Sequence, residues 1–166
     1  MPQDKNNAVH TRNRIIEWQD PGAIWEQANG LSLLGRIRAI RDGKLPPPPI
    51  ACLIGFHYVG AEPGEIVIEL QPDHSLESSA GTLHAGVAAT MLDTAMSAAA
   101  GTLLPINKGA VTLDLNISYL KPLTSESGPI VPSVALWISP NGLHTRRATS
   151  AMGQAIWPLM LSVSSR

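Results

Sequence analysis

The chain has 166 residues, 12 of them basic and 13 acidic, and 44% are hydrophobic. That is one domain with a sizeable core, and a formal net charge of −1 excludes a broad electrostatic case for nucleic acid or an anionic membrane surface. A single cysteine, Cys52, has no intramolecular disulfide partner and points to a reducing compartment, so the cytoplasm is the expected location. The opening MPQDKNNAVHTRNR is charged and has no apolar stretch, so no secretory leader is expected.

Residues 1–20 are polar and are expected to fray. From Pro21 to Arg41, residues Ile24, Trp25, Ala28, Leu31, Leu34 and Ile37 recur at helical spacing. Gly30 and Gly35 interrupt them, which predicts one or two short amphipathic helices. The run LPPPPI (45–50) reads as a stiff extended connector, because proline lacks the backbone donor that helices and interior strands need. Residues 51–59 read as a strand and AEPGE as a turn. IVIELQ then alternates strictly at Ile66, Ile68 and Leu70. Together they predict an antiparallel hairpin.

Residues 72–83 are loop by composition. A helix follows from His84 to about Gly101 and ends before Pro105. The stretch 85–105 approaches membrane-spanning length, but it is mostly small residues and holds Asp93 near its middle. A central aspartate costs about 2.5–3.5 kcal/mol on insertion scales, so a helix buried in protein is expected, not a membrane span. Its small side chains let a sheet curl closely around it. VTLDLNISYLKP (111–122) alternates at Val111, Leu113, Leu115, Ile117 and Tyr119 and is the clearest strand. GPIVPSVALWI (128–138) is a further strand whose first half Pro132 weakens. Beyond Ser139 the pattern dissolves. The order predicts an α+β domain, with one long helix against an antiparallel sheet.

No metal-ligand spacing, nucleotide-binding loop, GxSxG or HExxH is present, so neither a metal nor an organic cofactor is expected. Attention falls on residues 78–97. Asp93 is the one ionisable residue between His84 and Lys108, and an unpaired carboxylate in an apolar helix costs several kcal/mol. Three readings stay open: a wet helix edge, hydrogen bonds from Thr94, Ser97 or a neighbouring loop, or a functional group. Ser97 lies on the same helix face and either serves Asp93 or a substrate, or bonds back to its own helix. At the helix start, Gly81, Ala85 and Gly86 allow close approach to free backbone N–H groups, which can stabilise a developing oxyanion. His84 at this mouth is either catalytic or a hydrogen-bonded anchor for the loop. Helix start and carboxylate lie about two and a half turns apart, too far for both to reach one carbonyl. A site shared between two copies of the chain resolves this.

AGTLHAGVAATMLDTAMSAAA followed by VTLDLNISYLKPL resembles the hotdog-fold acyl-CoA thioesterases of the phenylacetate-degradation (PaaI-like) branch. The resemblance covers about residues 45–123, with LPPPPIACLIGF as lead-in. It implies a hotdog fold, a curved antiparallel sheet wrapped around the 84–101 helix, occupying residues 45–166 after an N-terminal segment, 1–44. It also implies a homodimer or homotetramer that hydrolyses an acyl-CoA to free acid and CoA. Carried over by position, Asp93 is the nucleophile or the general base on water. The Ala85 N–H, from the other subunit, polarises the thioester carbonyl, and Ser97 lies near the attacking water. Ser78, His84 and Gly86 fall at substrate-binding positions. Ser78 departs from the pattern, since the family has an amide side chain there and serine offers one short donor. That departure motivates a different class of reading, a non-catalytic acyl-CoA-binding or dimerisation protein. A hotdog dehydratase or hydratase is a second alternative, although no loop with its arrangement of His and acid is found.

The tail is unlike the family. The resemblance calls for two more strands after about residue 132 and an ending like D-G-x-G-x-L-x-A-H-A, where this chain has NGLHTRRATSAMGQAIWPLMLSVSSR. Shifted back by one base, the codons for residues 152–161 can encode D-G-T-G-N-L-A-A-H-A. Either a frameshift near 131–134 replaced the last strands, or the tail is simply divergent.

Overall fold

The computed structural model describes residues 11–106, 108–139, 142–150, 153–154 and 161–165, with side chains as far as residue 136. Two helices occupy the first amphipathic region. Helix α1 (Pro21–Gln27) opens on Asp20, whose carboxylate accepts the Gly22 N–H at 2.7 Å. Helix α2 (Leu33–Arg41) opens on Ser32, which accepts the Gly35 N–H at 3.1 Å. Only α2 delivers a buried residue to the core, Ile37. Trp25 on α1 stays exposed, its ring covered by the Arg36 guanidinium at 4.1 Å.

The proline-rich run departs from the extended reading only at its end: Pro48 keeps it, at φ −65° and ψ 151°, and Pro49 and Ile50 do not. Helix α3 spans Pro49–Ile54 and takes in residues expected to be connector and strand. Proline at the first helical positions costs no hydrogen bond, because those N–H groups have no partner inside a helix anyway. Gly55, at φ +95°, ends the helix in the left-handed region and turns the chain into β1 (Phe56–Glu62). A short apolar run cannot be told apart as helix or strand by periodicity.

Strand β1 pairs antiparallel with β2 (Glu65–Leu70), as the alternation predicts, and Ile66, Ile68 and Leu70 are buried. A register shift between Tyr58 and Gly60 bends the hairpin. Gly64 closes the turn at φ +74°, and a Cβ there would lie 2.8 Å from the Leu136 carbonyl oxygen. Its N–H donates to the Thr102 hydroxyl at 2.7 Å, which ties the turn to the end of the long helix.

Helix α4 (Ala85–Thr102) is that central helix. Met91, Ala95, Met96, Ala99 and Ala100 are buried along it, packed mainly against β2, β3 (Lys108–Thr112) and β4 (Ser133–Ser139). At Gly101 the Leu33 side chain of α2 occupies the space a Cβ would need. The small residues thus admit close neighbours, as the composition implies. Strands β1, β2, β4, β5 (Gly142–Ser150) and β6 (Gly153–Gln154) form one sheet in that order, all antiparallel. Strands β3 and β7 (Leu161–Ser165) form a second, two-stranded one.

Two strand expectations need correction. The segment 111–122 enters a ladder only through residue 112, because β7 supplies hydrogen-bond partners for five residues alone. Alternation reports two faces, but a strand also needs a neighbour. Leu115 and Ile117 still pack on the core, while Val111, Leu113 and Tyr119 are exposed. Beyond Ser139, where the sequence pattern fails, the backbone nonetheless continues as β5 on β4. Ladder pairing needs no side-chain alternation. The shifted-frame reading of residues 152–161 falls outside the described residues except at Gly153, Gln154 and Leu161, as does the fraying expected of residues 1–10. No helix among the described residues is long and apolar enough to cross a membrane.

Candidate active site

The loop before α4 is folded by its own backbone. Ser78 N–H donates to the Thr82 carbonyl at 2.7 Å, Gly81 N–H to the Ser78 carbonyl at 3.0 Å, and Gly81 sits at φ +72°. The Ser78 hydroxyl accepts the Ala80 N–H at 3.2 Å and lies 3.1 Å from the Thr82 hydroxyl. Its polar atoms are therefore spent within the loop. Leu83 is buried and its N–H donates to the Leu123 carbonyl at 2.7 Å, which brings His84 to the head of the helix.

His84 is the N-cap of α4. Its Nδ1 accepts the Gly86 N–H at 3.0 Å, so that nitrogen carries no proton and the hydrogen sits on Nε2. Gly86 has thereby given up its amide. The Val87 N–H is taken by the His84 carbonyl at 2.9 Å, whereas the exposed Ala85 N–H has no acceptor among the described residues. Tyr119 steadies this turn by donating its hydroxyl to the Ala85 carbonyl at 3.1 Å. Among the described residues the helix thus starts with a free amide at its positive end, the arrangement that suits a developing oxyanion.

Asp93 is half-buried on α4, and the Thr112 hydroxyl of β3 donates to its Oδ1 at 2.6 Å. Oδ2 has no partner among the described residues. Neither helix neighbour serves the carboxylate: Thr94 donates to the Thr90 carbonyl at 2.8 Å and Ser97 to the Thr94 carbonyl at 3.2 Å. Sequence reasoning missed Thr112. The signal available was its place as a polar partner within an alternating strand, beside a helix whose lone carboxylate needed a donor. Ala85 and Asp93 are eight residues apart on one helix, about 12 Å at 1.5 Å per residue, so a single chain does not bring them to one carbonyl.

An open groove of about 410 Å³ lies at the same helix end. Ile54, Leu76 and Val87 give it an apolar part, and Ser75, Glu77 and His84 a polar one. The Ser125 hydroxyl and the His74 ring hold the Glu77 carboxyl below the usual carboxylate range. Ser125, His74 and Glu77 have the composition of a nucleophilic triad but not its geometry. Ser125 Oγ (3.3 Å) and Glu77 Oε1 (3.1 Å) both approach the same Nδ1, so no proton relay runs between them. Among the described residues no three His, Cys, Asp or Glu side chains stand together as metal ligands would.

Residues 80–127, which hold both the free amide and the carboxylate, match the family model described as the thioesterase superfamily. Human acyl-coenzyme A thioesterase 13 is 36% identical over 66 residues, 39% of this chain and 45% of that protein; the same enzyme from Pongo abelii matches equally. The match thus spans less than half the length of these curated relatives. Among solved structures, a thioesterase from Haemophilus influenzae superposes with a TM-score of 0.59 at 19% identity, covering 82% of this chain and 93% of that one. The E. coli PaaI protein from the phenylacetic acid degradation operon gives 0.54 at 15% identity, covering 76% and 100%. The fold is the hotdog fold expected from the sequence, an α+β arrangement with the central helix held in antiparallel sheet.

Proposed function

We propose that the protein hydrolyses an acyl-CoA thioester to a free acid and CoA, as a homodimer or homotetramer with sites shared between subunits. The observation that carries this reading is the Asp93 carboxylate, held at one oxygen by Thr112 and free at the other, in a helix that opens with an unpaired amide. The thioester oxygen accepts the Ala85 N–H of one subunit, and the positive helix end stabilises the charge that develops there. Asp93 of the partner attacks the carbonyl carbon, or takes a proton from water that attacks it. Collapse of the tetrahedral intermediate breaks the C–S bond and releases CoA as the thiolate. In the attack route, water then opens the mixed anhydride on Asp93. The superfamily match over residues 80–127 and the curated acyl-CoA thioesterase relatives support this chemistry. His84 and Gly86 shape the helix start and border the groove. Ser97, bonded to its own helix, has the weaker claim of the two hydroxyl residues. Residues 45–166 constitute the hotdog domain after segment 1–44, and the single cysteine favours a cytoplasmic location.

Ser78 supports a second reading. With its hydroxyl engaged by Ala80 and Thr82, no side-chain amide assists at the carbonyl, and a protein that binds acyl-CoA without cleaving it becomes the alternative. One experiment separates the two. Thiol release is measured across an acyl-CoA panel for the wild type and Asp93→Asn, alongside binding of the same esters. Hydrolysis by the wild type that falls about 10²-fold or more in a folded Asp93→Asn supports the mechanism. An unchanged kcat removes Asp93 from the chemistry, and binding without thiol release selects the alternative.

A further inference from the structure

The groove beside the helix start has a charge and a boundary that the superfamily match does not cover. None of its lining residues is Lys or Arg, and Glu77 is among them, so it is a poor place for the phosphates of CoA. Its volume of about 410 Å³ lies near the low end of the roughly 300–1,000 Å³ common for small-molecule sites, which suits an acyl chain and not a whole CoA ester. It borders His84 and Gly86, the residues on either side of Ala85.

Two of its walls come from outside residues 80–127: Ile54 at the end of α3, and Ser75 in the short 3-10 turn His74–Leu76. One side chain joins them. Arg14, from the segment before α1, donates from one guanidinium nitrogen to the carbonyls of Cys52 (3.3 Å) and Leu53. Its other terminal nitrogen donates to the Ser75 hydroxyl at 3.2 Å and lies 3.6 Å from the Asp73 carboxylate. The first pair are carbonyls at the C-terminal end of α3, which lack partners inside the helix. The planar fork of arginine spans both walls at once, which a lysine cannot do. Among the described residues of 11–19, Arg14 alone makes hydrogen bonds to the rest of the chain.

We propose that this groove is the acyl subsite and that Arg14 is a positioning residue that sets its width by clamping α3 to the 3-10 turn; the proposal rests on the thioesterase reading above. A short acyl group that leaves the groove empty is then indifferent to Arg14, whereas a chain that fills it is not.

The test uses the full chain as wild type, Arg14→Ala, Arg14→Lys and Ser75→Ala. Initial rates are taken with acetyl-CoA and octanoyl-CoA, and binding is measured with a non-hydrolysable octanoyl thioether of CoA. For Arg14→Ala the expected result is an octanoyl-CoA KM raised about fivefold or more with kcat within about twofold, and an unchanged acetyl-CoA KM. Arg14→Lys falls between wild type and alanine. Ser75→Ala, which leaves the carbonyl bonds in place, shifts the octanoyl KM in the same direction by less, and stands in if Arg14→Ala does not fold. Equal effects on both esters, or no effect from any of the three variants, overturn the proposal. If the wild type cleaves neither ester, the hydrolase reading fails. The subsite then stands or falls on the thioether, bound about fivefold more weakly by Arg14→Ala if the clamp matters and equally if it does not.

Discussion

Thr112→Val keeps the branched shape of the side chain and deletes one hydroxyl, so it isolates the 2.6 Å bond to Asp93. A hydrogen bond to a charged group contributes about 1.5–3 kcal/mol. Both residues are half-buried, and water can reach the vacated oxygen, which places this bond near the lower end. About 1.4 kcal/mol corresponds to tenfold in rate. If the hydroxyl orients the carboxylate for attack or proton abstraction, kcat on the best thioester falls about tenfold in Thr112→Val while KM stays within about twofold. Thr112→Ser restores the hydroxyl and most of the rate. Urea unfolding, read beside the kinetics, shows a loss of about 1.5 kcal/mol for Thr112→Val and a smaller one when Asp93→Asn is already present, because the neutral amide oxygen accepts the hydroxyl less strongly than the carboxylate does. A Thr112→Val protein with wild-type kcat would refute the reasoning outright.

Three further outcomes are expected. Gly64→Ala forces an L-residue to φ +74° with its methyl 2.8 Å from the Leu136 oxygen. The backbone term alone costs about 1–2 kcal/mol, so calorimetry should show Tm lowered by about 5 °C or more, and a shift under about 1 °C counts against it. Burial pushes the Tyr58 hydroxyl up to about 12, so the folded state keeps its proton where the unfolded chain has lost it. The linked stability is fully present below about pH 10 and is lost as pH rises to about 12, some 3 kcal/mol that Tyr58→Phe should remove from the pH dependence of chemical unfolding. The gene itself checks the tail: the minus-one frame across residues 131–161 should read through to an ending like D-G-T-G-N-L-A-A-H-A, and a stop codon there refutes the frameshift.

The sequence by itself determined the elements whose signal is local. The hairpin was legible because Ile66, Ile68 and Leu70 alternate around a Pro-Gly turn, and α4 because eighteen residues of mostly small, helix-compatible type end before a proline. The lone carboxylate and the free helix start were legible for the same reason, since each depends on residue type and helical spacing. Tertiary structure decided the rest. Helix α3 starts on the last proline of the run and ends at Gly55 beside β1, limits that the apolar run itself does not mark. The extent of β3 was set by how far β7 reaches, which no local pattern encodes. Thr112 became Asp93's partner, and Arg14 the link between Cys52, Leu53 and Ser75, across separations of 19 to 61 residues. Periodicity constrains a residue's neighbours three or four positions away. A hydrogen bond between distant segments exists only once the fold has brought them together.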